Sequence, residues 1–112
     1  MQTISFDEFL AVELRVGRVI EALPFPEARR PAYVLRVDFG DEIGERKSTA
    51  QITEHYAPEE LVGRLVVGCV NLPPKQVGPH RSHCLITGFH DADGHVRLCV
   101  PDGEVPLGAK LC

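Results

Sequence analysis

Apolar residues along the chain recur at every second position or in short runs bounded by glycine and proline, the pattern of β-strands. In "AYVLRVDFG", Tyr33, Leu35, Val37 and Phe39 share one face, and "LRVGRVIEAL" sets Val16 and Val19 among Gly17, Arg18 and Glu21. A short third strand, "RKSTAQIT", follows a turn over residues 41–45. "LVVGCVNL" and "SHCLITGFH" read as two further strands, and Asp93-Gly94 reads as a tight turn leading into the return strand "VRLCVP". Two segments break the period. "ISFDEFLAVEL" has Ser5 and Glu8 at capping-box spacing, with Phe6, Phe9 and Leu10 on one helical face. "APEELVGRL" offers Pro58, Glu59 and Glu60 to the first turn of a second short helix, which Gly63 ends. Five or more short strands, a short N-terminal helix and one helix between the third and fourth strands make the element order of an all-β OB-fold, a Greek-key barrel whose strand face and loops bind oligonucleotides. Fold alone does not settle function.

The chain's 112 residues suit one domain over 1–112 with one core. A formal charge of -4 gives no global attraction to nucleic acid, so an RNA site has to be a local basic patch on an acidic body. The linker "NLPPKQVGPHRSH" is where such a patch is expected: it holds Lys75, His80, Arg81 and His83 and is stiffened by Pro73, Pro74 and Pro79. Stiffness lowers the entropy lost when a ligand docks. Arg29 and Arg30, in the proline-bounded "PFPEARRP", are secondary candidates.

Other chemistry is weak. Cys69, Cys84 and Cys99 lie in apolar runs, where a thiol behaves as a small inert hydrophobe, so no disulfide framework is expected. His80, His83 and Cys84 could serve zinc by type, but neighbours on a strand point to opposite faces, so no metal site is expected there. No phosphate-loop or hydrolase motif occurs, so neither an enzyme nor a cofactor is expected. No apolar run reaches the length of a membrane span and the first residues lack a signal-peptide layout, which points to the cytoplasm and no membrane insertion.

"VELRVGRV", "FPEARRPAYVLRVDFG", "KSTAQITEHYAPEELVGRLVVGCVNLPPK" and "PDGEVPLGAKL" together resemble the CsaA family, small tRNA-binding-domain proteins related to modules of methionyl-tRNA synthetase. The resemblance covers essentially the whole chain. It implies an OB barrel and a homodimer joined by the N-terminal helix and the C-terminal segment; Phe6, Phe9 and Leu10, with Leu111, are the candidate interface, packing of the helix face within its own chain being the equal alternative. It implies tRNA binding and an export-related chaperone role. The alternative is a chaperone that holds unfolded or precursor polypeptide in a dimer groove without RNA. Carried over residue by residue, the family's motif positions fall on Ser48, Gln51, Asn71, Pro74, Lys75 and Ser82; Lys47 and Arg81 are further candidate contacts beside them. Where relatives have an aromatic and an acidic residue, this chain has His80 and His83, which adds positive character and favours RNA.

Overall fold

The computed structural model describes residues 1–112 and contains the expected OB barrel. Its frame is β1 (Leu14–Pro24), β2 (Tyr33–Asp38), β3 (Glu45–Ala50), β4 (Leu65–Cys69) and β7 (Leu85–Ile86), in the antiparallel order β3-β2-β1-β4-β7. β1 is the long strand that turns the sheet. Its first part, Leu14–Arg18, pairs with β4 and its second, Arg18–Pro24, with β2, the register slipping between Val19 and Glu21. Such an irregularity bends a strand and increases its twist, as closure requires.

Closure joins β3 to the segment before β7. The His83 N–H donates to the Lys47 carbonyl at 2.7 Å, and the Thr49 N–H donates to Ser82 Oγ at 3.4 Å. Arg46 reaches across the same seam and donates to the carbonyls of Val70 and His83, both at 3.3 Å.

The period-2 reading of β2 holds: Leu35, Val37 and Phe39 are fully buried in the barrel core, with Tyr33 against them. Two glycines make room for Phe39. A Cβ on Gly17 or on Gly68 would sit 2.8 Å from its ring, closer than carbon atoms tolerate, so the ring lies directly on the backbone of β1 and β4. α2 (Pro58–Leu61) plugs the barrel with Leu61, and Gly63, at φ +92°, turns the chain out of it.

α1 (Phe6–Ala11) has the predicted capping box: Glu8 N–H donates to Ser5 Oγ at 3.1 Å and Ser5 N–H to Glu8 Oε1 at 2.9 Å. It buries none of its residues. The C-terminal segment lies along the start of β1, with Val16 N–H bonded to the Ala109 carbonyl at 2.9 Å and Leu111 N–H to that of Leu14 at 2.8 Å. Lys110 and Arg15 both pair with Glu13, which locks the two ends of the chain together.

Two expectations are corrected. "SHCLITGFH" is not one strand: it is divided among β6 (His80–Ser82), β7 and β8 (Gly88–His90), because Ser82 and His83 turn toward β3 while Gly88–His90 pairs with β9 (Val96–Leu98). The linker after β4 is not a plain loop either. β5 (Lys75–Val77) pairs with β6 in a hairpin turned at Gly78-Pro79, with Gly78 at φ +58°. No helix is long and apolar enough to cross a membrane.

Candidate nucleic-acid interface

In an OB barrel, ligand binding falls to the loops joining the first two barrel strands and the last two, together with the face of the second and third strands. Here these are the β1–β2 loop (25–32), the β4–β7 connection (70–84) and β3. A small second core joins the two loops. Phe25, 4% exposed, packs with Ala32 and Val34 on the outer side of the sheet, and Val77 of the hairpin covers them. The His80 ring stands edge-on to Phe25, with 4.7 Å between centroids. The turn glycine Gly78 also sits against the Phe25 ring: a Cβ there would lie 3.3 Å from it. Phe25 therefore fixes the position of the β5–β6 hairpin relative to the loop that carries Arg29 and Arg30. A cleft of about 380 Å³ opens within that loop, lined by Phe25, Arg29 and Thr53 among others.

Charge pairing singles out this region. Of the 12 lysines and arginines, Arg15, Arg18, Arg36, Arg97 and Lys110 lie within 4.0 Å of carboxylates. Arg46 is spent on carbonyls, and Arg64 lies over the Tyr56 ring at 5.1 Å. The remainder are Arg29, Arg30, Lys47, Lys75 and Arg81. Every one is on the β1–β2 loop, β3 or the hairpin. Arg29, Arg30, Lys75 and Arg81 are exposed, and Lys47 alternates with inward-facing Ser48 and so faces outward. Gln51, also exposed, follows the end of β3.

Other expected contact residues have different work. Ser48 and Ser82 are 1% and 9% exposed. Ser82 Oγ accepts from Thr49 N–H and donates to the Cys84 carbonyl at 3.1 Å, so it closes the barrel rather than facing a ligand. The Asn71 side chain accepts from Glu13 N–H at 3.0 Å and donates to the Ala11 carbonyl at 2.7 Å, pinning the end of α1 to the barrel. His80, a linker candidate for the basic patch, is half-buried, and its Nδ1 is sealed from solvent with no hydrogen-bond partner. His83 is half-buried at the β3 seam. The His80 ring thus packs on Phe25, and the anchor Phe25 had no signal in the sequence beyond its flanking prolines.

A second surface is apolar. Phe6 is 71% exposed, Leu10 37% and Leu111 38%, while Phe9 is half-buried with its ring 6.0 Å from that of Phe6. Near them runs a groove of about 220 Å³ lined by Leu14, Val16, Val100, Val105 and Leu111 among others.

Residues 14–110 match the family described as "Putative tRNA binding domain". The chain is 42% identical over 111 residues to the methionine–tRNA ligase of Thermococcus kodakarensis, a match that takes in 99% of this chain and 14% of the ligase. The chain thus spans about one seventh of that relative's length. Among solved structures, the chaperone CsaA of Bacillus anthracis superposes with a TM-score of 0.92 at 43% identity, covering 99% of this chain and 100% of that one. The CsaA chaperone of Picrophilus torridus gives 0.90 at 41% identity, covering 98% and 100%.

Proposed function

The chain belongs to the tRNA-binding-domain family and, within it, to the CsaA group, and from that membership we propose that it binds tRNA through the two loops joined at Phe25 and the adjoining face of β3. The observation that carries this reading is the distribution of unpaired cations. Acidic side chains pair five of the other cations, carbonyls hold Arg46 and the Tyr56 ring holds Arg64, which leaves Arg29, Arg30, Lys47, Lys75 and Arg81 free. Phosphate oxygens attract such groups whatever the base sequence, and a rigid loop pair reads the shape of the backbone rather than its letters. No reaction is assigned: Cys84 is buried, and burial pushes its thiol up to about 11, so it is not a nucleophile at neutral pH.

The same proposal makes the functional unit a homodimer. A helix with no fully buried residue, which displays Phe6 and Leu10 beside an apolar groove, has its burial completed by a second copy. A second reading, an export-related chaperone gripping unfolded or precursor polypeptide, draws on that same groove.

Direct binding separates the two. Labelled bulk tRNA and a permanently unfolded polypeptide are titrated against the purified protein at low salt, with its mass followed by sedimentation. Saturable tRNA binding by a dimer is expected. No tRNA binding at low salt, with saturable polypeptide binding, would transfer the function to the groove, and a monomer at micromolar concentration would remove the dimer.

A further inference from the structure

We propose that His55, Asp91 and His95 form a binding site for one first-row transition cation of the zinc class, placed where the tip of the β8–β9 hairpin meets the loop between β3 and α2. One ligand atom from each residue lies within 4.8 Å of the other two, and all three residues are half-buried. This cluster lies outside the tRNA surface described above and shares no residue with it.

The chain builds the site from two directions. Asp91 opens the turn "DADGH" and divides its carboxylate between two tasks. Oδ1 accepts from the N–H groups of Asp93 and His95, both at 3.0 Å, which shapes the turn. Oδ2 is left facing His55 Nε2 at 2.7 Å. The same turn carries His95, whose ring makes no hydrogen bond and stands edge-on to that of His55 with 5.4 Å between centroids. His55 arrives on a loop held by its neighbour Tyr56. The Tyr56 carbonyl accepts from Tyr33 Oη at 2.7 Å, and its hydroxyl accepts from Leu98 N–H of β9 at 2.9 Å. Both ligand-bearing segments are therefore tied to each other before any ion arrives, which lowers the cost of organising a site.

The donor set selects the ion. Two imidazoles and one carboxylate suit zinc, cobalt, nickel and copper, not magnesium or calcium. Tetrahedral ligands with bonds of about 2.0–2.1 Å stand about 3.4 Å apart. Binding thus widens the His55–Asp91 pair slightly, the neutral His55 ring carrying its proton on Nδ1 and offering the Nε2 lone pair to the ion. His95 closes by movement of an unbonded ring on a turn. A carboxylate already oriented by backbone N–H groups is the usual support of a metal ligand. Arg97, whose Nε lies 3.5 Å from Asp91 Oδ2, opposes a cation there, but its side chain is 59% exposed and can swing into water. Three protein ligands leave a coordination position to water.

Tag-free full-length protein, stripped with a chelator, is titrated with cobalt(II) and then zinc(II). One cobalt per chain is expected, giving visible ligand-field bands without thiolate-to-cobalt charge transfer, and zinc should discharge them. Zinc in excess should raise the melting temperature by about 4 °C or more. His55→Gln and His95→Gln should each weaken binding by at least about tenfold, and Arg97→Gln should tighten it. Should His55→Gln fail to fold, His95→Gln decides, because the fold asks no hydrogen bond of that ring. The proposal is overturned by the absence of saturable one-to-one binding, by charge-transfer bands that mark cysteine ligation, or by His95→Gln binding like the native chain.

Discussion

Replacing Lys75 and Arg81 together by alanine tests whether the hairpin touches phosphate. Both side chains are exposed and lack a carboxylate partner, so their removal should leave the barrel's stability nearly unchanged. Their effect on tRNA binding can be worked from the count of free cations. If Arg29, Arg30, Lys47, Lys75 and Arg81 each neutralise one phosphate, the logarithm of the binding constant falls with that of salt at a slope of about -3.5 to -4.5 per chain. Raising salt from about 50 to about 200 mM then weakens native binding roughly 100- to 500-fold. With two cations gone the slope drops to about -2.1 to -2.7, and the same change costs only roughly 20- to 40-fold. Fluorescence anisotropy on several tRNAs across that salt range reads both quantities. The loss should be alike for all of them, because phosphate contacts carry no base information. A double variant with the native slope would show that the hairpin charges are merely solvated.

Phe25→Ala removes no charge but takes out the side chain that joins the two loops; it should cost about 3 kcal/mol of stability and weaken tRNA binding at temperatures where the barrel is still folded, whereas native affinity in a folded Phe25→Ala would refute the anchor role. Thiol counting on the native protein at mildly alkaline pH should find Cys112 reactive and Cys84 silent until unfolding, given burial and a thiol held near 11; prompt reaction of all the thiols would contradict the packing. Glu13 is held below the ordinary carboxylate range by its bonds to Lys110 and then Arg15. A lowered folded value stabilises the fold above the unfolded one and loses that stabilisation as pH falls through the folded value. Acidification should therefore release the C-terminal segment from β1, seen as faster amide exchange at Leu111, and Glu13→Gln should abolish that acid step.

The elements legible in the sequence were those fixed by local chemistry. The capping box at Ser5 and Glu8, the proline-led turn of α2, the Asp93-Gly94 turn and the alternation from Tyr33 to Phe39 each need only neighbours in the chain, and each stands in the structure. What failed depended on partners far away. Three prolines in the linker read as a loop, yet Pro73 and Pro74 precede β5 and Pro79 sits in the turn of the hairpin, so none takes a place in the β5–β6 ladder. Ser48 and Ser82 were contact candidates by their family motifs, and a serine gives no sign of burial; only the seam between β3 and β6 reveals that their surroundings are closed. Asn71 was placed at the ligand by its motif, and its partners Ala11 and Glu13 lie about sixty residues away in the chain. His55 and Asp91, separated by 36 positions, could not be recognised as neighbours from spacing at all.

The acidic composition, which at first argues against an RNA ligand, becomes part of how the surface is made. Glu13, Glu21, Glu45, Asp91 and Glu104 each take an arginine or lysine on the flanks of the barrel. Exposed pairs of this kind contribute little to stability, so their larger effect is on the field around the molecule. Cations paired on the flanks compete poorly for phosphate, and the surplus of carboxylates repels it there. A polyanion approaching from any side is then turned toward the region where five cations without a carboxylate partner gather, β3 and the loops that Phe25 holds together. On this reading a net charge of -4 restricts where tRNA docks rather than whether it docks, and neutralising a flank carboxylate such as Glu104 should raise weak, non-productive RNA binding without strengthening the salt-dependent binding that Lys75 and Arg81 support.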